Sequence, residues 1–211
     1  MTAFNFVYDE NQVIICMDTL SLNGQREPFK FVSKIFPIPH LRSVICGTGN
    51  LDLILEWVNK VQRNIVAADI SFLNTITTDS LYDLNSKYPK GATSTIYQFG
   101  YSELEGKLLG AVFRSDTGFE KEDYPYCSAV KPKVDFDIYE EIQNSSLDEA
   151  FIKLVSKQKT EDDLSPEPVG IGGEIHRFLM NKNTYHLDII HRFSDYEECY
   201  DKMLENLKEN E

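Results

Sequence analysis

Apolar and polar positions repeat with two different periods along the chain, and the changes of period divide it into strands and helices. Residues 2–8 and 13–17 are short alternating or apolar runs, joined by a polar corner at residues 9–12. Runs of this length on either side of a short polar segment predict a β-hairpin. Two more strands are predicted at residues 29–36 and 43–46. The chain therefore opens with four predicted strands.

From Asn50 the apolar positions recur every three or four residues, which is typical of one face of a helix. The residues on this face are Leu51, Ile54, Leu55, Val58, Val61 and Ile65. A weaker helical pattern covers residues 71–88 and ends before Pro89, because the residue that precedes a proline disfavours the helical conformation. Two helices in succession are therefore predicted after the first strands.

Strand character returns in the rest of the chain, where the predicted strands are residues 94–101, 107–114, 124–130, 174–180 and 185–193. Two capping boxes, in which a serine and a glutamate bond free backbone N–H groups, predict helices that start at Ser146 and Ser194. The first of these helices is predicted to end near residue 157. Residues 159–168 are polar and contain two prolines, so a loop is predicted there.

The order of these elements is typical of an α+β protein. Because the apolar faces of sheets and helices must be buried against one another, the pattern predicts two stacked, mostly antiparallel sheets between helix layers. We expect a single domain that covers residues 1–211.

Composition narrows the possible functions. The 211 residues, 42% of them hydrophobic, are enough to bury one sizeable core. With 34 acidic and 21 basic residues the formal net charge is −13, which argues against a nucleic-acid partner because such binding depends on positive charge. No apolar run approaches the ~20 residues of a membrane span, and the first residues lack the order of a signal peptide. We therefore expect a cytoplasmic protein with no membrane partner.

The sequence contains no pattern that requires a cofactor or a metal. The four cysteines lie far apart without a C-x-x-C pair, so reduced thiols are favoured over disulfides or a zinc site. Gly47-Thr48-Gly49 lies between a predicted strand and helix, as in phosphate-binding turns, but the third glycine of such motifs is absent. His186 and His191 are five residues apart, which places them on opposite faces of a strand and argues against a shared metal.

Three segments of the first half, residues 13–18, 33–38 and 44–47, carry a resemblance to a known family. They resemble proteasome β-type subunits and their bacterial relatives, which are N-terminal-nucleophile (Ntn) hydrolases. In that family an aspartate follows the nucleophilic threonine by sixteen residues, and a lysine follows the aspartate by sixteen more. Thr2, Asp18 and Lys34 have this spacing here. The element order is similar over nearly the whole chain, but residues support the resemblance only over about the first fifty and around the double glycine Gly172-Gly173.

The resemblance implies a four-layer α-β-β-α sandwich and a threonine protease mechanism. Thr2 would be the nucleophile, and its own α-amine, exposed by removal of Met1, would be the base. Lys34 would keep more of this amine unprotonated, because like charges disfavour a second cation. Asp18 would hold Lys34 charged and oriented. A small residue such as Thr2 after the first methionine favours removal of that methionine.

Two further residues have a role by resemblance, and two positions differ from the family. The backbone N–H of Gly47 would stabilise the oxyanion of the tetrahedral intermediate. Ser128 is the candidate for a supporting serine. Leu22 stands where the family commonly has a hydroxyl residue, with Ser21 one position earlier. Residues 168–171, Pro-Val-Gly-Ile, stand where the family has a supporting aspartate and serine.

The leading hypothesis is thus a proteasome-like, threonine-dependent hydrolase of peptides or proteins that assembles into a homo-oligomeric ring. The alternative is a catalytically inactive Ntn-fold subunit that serves as an assembly or binding module. Hydrolysis of small amides by a relative that forms no ring is a third possibility. Whether the chain is an enzyme stays open, since the same three residues are also typical of ordinary strand ends and a terminal residue.

Overall fold

The computed structural model describes residues 2–89, 91 and 93–209. Within these ranges the strands are β1 (Phe4–Tyr8), β2 (Gln12–Asp18), β3 (Leu20–Leu22), β4 (Pro28–Phe31), β5 (Ile35–Ile38), β6 (Ser43–Gly49), β7 (Ser94–Ser102), β8 (Lys107–Arg114), β9 (Lys121–Asp123), β10 (Cys127–Lys131), β11 (Glu174–Asn181) and β12 (Tyr185–Arg192). The helices are α1 (Leu51–Asn64), α2 (Ile70–Asn85), α3 (Ile138–Asn144), α4 (Leu147–Asp163) and α5 (Tyr196–Glu209).

The strands form two five-stranded sheets and one small hairpin, and all their pairings are antiparallel. The first sheet has the order β10-β1-β2-β11-β12, and the second has the order β5-β6-β7-β8-β9. Strands β3 and β4 form the hairpin. The protein is therefore a mixed α+β protein with antiparallel sheets, as the sequence predicts.

Three apolar clusters hold these elements together. The first joins the two sheets, where Phe4 lies 4.3 Å from Tyr97 and Phe6 lies 5.2 Å from Phe99 between ring centroids. The second cluster packs α1 and α2 against the second sheet, and the third packs α3 and α4 against the first sheet. Because side chains alternate between the two faces of a strand, each sheet contributes to two clusters.

Helix α5 packs behind the β3–β4 hairpin. Its Cys199 and Met203 are buried with Leu20, and the rings of Phe31 and Tyr196 stack with centroids 4.3 Å apart. The hairpin, which carries part of the candidate site, is thus fixed from its outer side.

The first hairpin is confirmed, but the predicted strand at residues 29–36 is wrong. This run is two strands, because β4 pairs with β3 and β5 pairs with β6 of the second sheet. The chain leaves the hairpin after Phe31 and enters the other sheet at Ile35, so the residues between them, Lys34 included, lie outside both strands. Strands β3 and β9 and helix α3 were not predicted.

The capping box at Ser146 is confirmed, since Ser146 and Glu149 each bond the other's backbone N–H group. Helix α4, however, continues to Asp163, so the first part of the predicted loop at residues 159–168 is helical. Both prolines of that segment lie beyond the end of the helix. Helix α5 begins at Tyr196, one residue later than a cap at Ser194 predicts. Among the described helices, none has the length and apolar character needed to cross a membrane.

Candidate active site

Three parts of the chain that are distant in sequence meet at one end of the first sheet. Thr2 lies just before β1, Asp18 is the last residue of β2, and Lys34 lies just before β5. Strands β1 and β2 pair with Phe4 opposite Met17, which brings the start of the chain beside Asp18. The Ala3 N–H accordingly donates a hydrogen bond to Asp18 Oδ1 at 2.9 Å. The residues predicted from the sixteen-residue spacing are thus neighbours in space.

The ammonium of Lys34 lies at the centre of this group. Its Nζ is 2.7 Å from Thr2 Oγ1 and 3.0 Å from each carboxylate oxygen of Asp18. It also donates to the backbone carbonyl of Leu20 at 2.7 Å. The Thr2 hydroxyl in turn donates to Asp18 Oδ1. The cation is therefore surrounded by oxygen atoms that fix its position against the hydroxyl.

The site is almost closed to solvent: Thr2 is 3% exposed, Asp18 0% and Lys34 8%. Burial lowers the pKa of Lys34, because a low-dielectric surrounding disfavours the ammonium, while the charge and hydrogen bonds of Asp18 oppose this shift. A buried charge is tolerated only when it is paired and hydrogen-bonded. The contacts of Lys34 satisfy both conditions.

The double glycine closes the site from the other side. The Gly172 N–H donates to Asp18 Oδ2 at 3.3 Å, and the Gly172 carbonyl accepts from the N–H groups of Thr19 and Leu20 at 3.2 and 3.1 Å. Gly173 has a φ of +78°, and a Cβ there would lie 2.4 Å from Thr19 Oγ1. A side chain at this position would therefore push the loop off the end of β2.

Gly47 lies on β6 beside the same site. The Asn50 N–H donates to the carbonyl of Thr93, the residue just before β7, at 3.2 Å. Along an antiparallel strand, successive residues alternate between bonding to the partner strand and facing away from it. Gly47 lies three residues before Asn50, so its N–H faces away from β7, toward the side of Lys34. A Cβ on Gly47 would lie 2.7 Å from two atoms of the Ile54 side chain, so a larger residue here requires Ile54 to move.

A cavity of about 360 Å³ opens in front of these groups, and Thr2, Lys34 and Gly47 line it. Its walls are β3, the beginning of α1 and the loop before β11; they contribute Leu20, Ser21, Leu22, Leu51, Ile54, Glu167, Pro168 and Val169. The Asn23 N–H donates to the Glu27 carbonyl across the β3–β4 hairpin. Because the backbone groups of successive strand residues point to opposite sides, those of the preceding Leu22 face away from β4. Strands β3 and β6 thus both present backbone groups that an extended peptide in the cavity can pair with.

Ser128 does not belong to this group, so its prediction as a supporting serine is corrected. It lies on β10 opposite Val7, whereas Lys131 is the β10 residue opposite Phe4. At about 3.4 Å per residue, Ser128 is roughly 10 Å farther along the strand from the site. It lines a different cavity, beside Val130.

Two features of the site were not predicted from the sequence. The Leu20 carbonyl is a backbone group, and no pattern of side chains marks it. Asp162, at the end of α4, accepts hydrogen bonds from three successive N–H groups of the loop that lines the cavity. Asp162 lies in the segment that the sequence predicts as a polar loop, and only a correct end of α4 points to it.

Among the described residues, no group of three or more His, Cys, Asp or Glu side chains is arranged to hold a metal ion. No protein-family model matches the chain, and a comparison with curated proteins gives no significant match. The function of the protein has therefore to be inferred from the geometry of the site. Met1, whose removal is predicted, lies outside the described residues.

Proposed function

We propose that this protein is a proteasome-like Ntn hydrolase that cleaves amide bonds of peptides or proteins with Thr2 as its nucleophile. The observation that carries the proposal is the position of the Lys34 ammonium, 2.7 Å from the Thr2 hydroxyl and 3.0 Å from both oxygens of Asp18, beside a cavity of about 360 Å³. A buried lysine of lowered pKa, held by a carboxylate against a hydroxyl, is typical of a catalytic site.

We further propose that the fold is the four-layer α-β-β-α sandwich of that family. The three apolar clusters support this assignment, since one joins the two sheets and the other two cover their outer faces with helices. A ring-shaped homo-oligomer is implied by the same resemblance, and a cytoplasmic location is expected from the sequence pattern; both stay predictions.

The first chemical step requires cleavage of the peptide bond before Thr2, which frees its α-amine. The amine then takes the proton of Oγ1 while Oγ1 attacks the substrate carbonyl carbon. The oxygen of that carbonyl becomes an oxyanion, which the Gly47 N–H stabilises by a hydrogen bond. The ammonium of Lys34 stabilises the negative charge on Oγ1 and disfavours a second cation at the amine.

In the second step the C–N bond of the substrate breaks. The α-ammonium of Thr2 gives its proton to the leaving amine, and the acyl group stays on Oγ1 as an ester. A water molecule, deprotonated by the same amine, then attacks the ester carbon and releases the acid. Proton return to Oγ1 regenerates the free threonine, so the cycle needs no other reactant than water.

Labelling with a peptide epoxyketone tests this proposal, because that reagent closes a ring with both the hydroxyl and the α-amine of a terminal threonine. Protein purified from its own host is expected to begin at Thr2 by intact-mass measurement and to gain one reagent mass. Thr2→Ser should retain the labelling and Thr2→Ala should lose it. A blocked Thr2 in the host-derived protein, or equal labelling of Thr2→Ala, would refute the mechanism.

The second candidate is the catalytically inactive subunit, an assembly or binding module. Two observations favour it: Thr2 is only 3% exposed, and residues 168–171 supply neither a hydroxyl nor a carboxylate. On this alternative the Lys34–Asp18 pair is structural. It predicts an unlabelled protein that still elutes as a multi-subunit assembly in size-exclusion chromatography.

A further inference from the structure

The loop between α4 and β11 forms one wall of the cavity, and a single carboxylate holds it. Asp162 Oδ1 accepts from the Val169 N–H at 2.7 Å, and Oδ2 accepts from the N–H groups of Gly170 and Ile171 at 2.9 and 3.1 Å. The Asp162 side chain is 7% exposed, so water competes little for these bonds. Three successive backbone donors on one carboxylate fix the course of the loop.

The loop connects Asp162 to the candidate site through the next residue. Gly172 donates to Asp18 Oδ2 at 3.3 Å and accepts from the Leu20 N–H at 3.1 Å. Both Asp18 and the Leu20 carbonyl contact the Lys34 ammonium directly. Displacement of Gly172 therefore changes two of the groups that hold Lys34 against Thr2.

We propose that Asp162 is a positioning residue of the site, which fixes the Lys34 ammonium through the loop at residues 169–172. Its effect on catalysis rests on the proposed function, whereas its effect on Lys34 does not. In this chain residues 168–171 are Pro-Val-Gly-Ile and have no polar side chain to anchor the loop. A carboxylate from the preceding helix supplies the anchor instead.

The variant Asp162→Asn weakens the anchoring of the loop and changes the shape of the side chain little. An amide has one accepting oxygen, and its NH₂ group is a donor that faces the N–H donors of the loop. At least one loop N–H then loses its partner, so the loop opens more often. Asp163→Asn is the matched control, because Asp163 is the adjacent residue of α4, more exposed, and bonds Lys159 at the surface.

Three measurements on the full chain separate anchoring from positioning. Amide hydrogen exchange of residues 169–172 is expected to be about tenfold faster in Asp162→Asn. The NMR signal of the Lys34 ε-carbon, assigned with a Lys34→Arg variant, should shift. Epoxyketone labelling of Thr2 at saturating reagent should slow by about tenfold or more, because a displacement of about 1 Å at a reacting group costs up to about 100-fold. Asp163→Asn should match the wild type in all three.

Faster exchange with an unchanged Lys34 signal would show that Asp162 is only a structural anchor, and the proposal would be wrong. An unchanged exchange rate would also overturn it. If the wild type is not labelled at all, the proposed function fails, and the Lys34 signal alone then decides the role of Asp162. If Asp162→Asn does not fold, Asp162→Glu replaces it; the same changes are then expected in smaller size, since the charge is kept but displaced by one methylene.

Discussion

Replacement of Lys34 by methionine removes the cation of the site and leaves Asp18 as a fully buried carboxylate. We expect this variant to fold with clearly reduced stability. Removal of one partner of a buried ion pair costs about 3–5 kcal/mol, because the other charge stays buried without compensation. The Leu20 carbonyl also loses its 2.7 Å donor.

Several contacts reduce this cost. Asp18 keeps the N–H donors of Ala3 and Gly172 at 2.9 and 3.3 Å, and the methionine side chain fills the space of the lysine stem. We therefore expect a loss of about 3 kcal/mol in the free energy of unfolding at pH 7, or roughly 6–12 °C in Tm.

Urea unfolding followed by circular dichroism at pH 7 measures this loss. Lys202→Met is the control, because Lys202 pairs with Glu198 at 2.7 Å on the exposed surface of α5, and such pairs contribute less than about 1 kcal/mol. A loss for Lys34→Met no larger than that of Lys202→Met would refute the assignment of a buried ion pair.

Three further predictions concern other parts of the molecule. Gly47→Ala should lose about 1–3 kcal/mol in urea unfolding and label more slowly, because its Cβ would lie 2.7 Å from a side chain of α1. Burial raises the pKa of Tyr97 to about 12. The unfolded chain therefore ionises first, and Tyr97→Phe should remove a decline of about 1.4 kcal/mol per pH unit in unfolding free energy from pH 10 to 12. Ser128→Ala should leave epoxyketone labelling unchanged, since Ser128 lines another cavity.

Each of these has a control or an opposing outcome. Gly24→Ala, with no atom within 4 Å of its added Cβ, should change stability by less than about 0.5 kcal/mol. Tyr139→Phe, at a half-exposed position, should keep the alkaline decline. Equal effects of the two glycine variants, or of the two tyrosine variants, would contradict the packing described here. Slower labelling of Ser128→Ala would show that this serine belongs to the site after all.

The sequence predicts the parts of the fold that depend on local patterns. The first hairpin follows from alternation, and the start of α4 follows from the Ser146 capping box; both are confirmed. The run at residues 29–36 misleads because an apolar stretch shows strand character but not the sheet that it joins. The choice of sheet depends on partners distant in sequence, and in this run it changes between Phe31 and Ile35.

The sequence predicts the part of the candidate site that the sixteen-residue spacing defines. Thr2, Asp18 and Lys34 converge because the chain crosses the same end of the molecule at each of them. The prediction of Ser128 depends on a local similarity alone. The strand register, which the sequence does not show, makes Lys131 the β10 residue opposite Phe4 and nearest the site. Asp162 was missed because its partners are backbone N–H groups, which have no signature in side-chain composition.

Lys34 lies where the chain passes from the hairpin into the second sheet, while Thr2 and Asp18 lie at one end of the first. A sliding of one sheet on the other would therefore change the distance between the Thr2 hydroxyl and the Lys34 ammonium. A loosened aromatic contact between the sheets, such as that of Phe6 with Phe99, would therefore change the position of Thr2 relative to Lys34. Tight packing between the sheets thus keeps the distance between the Thr2 hydroxyl and the Lys34 ammonium within narrow limits.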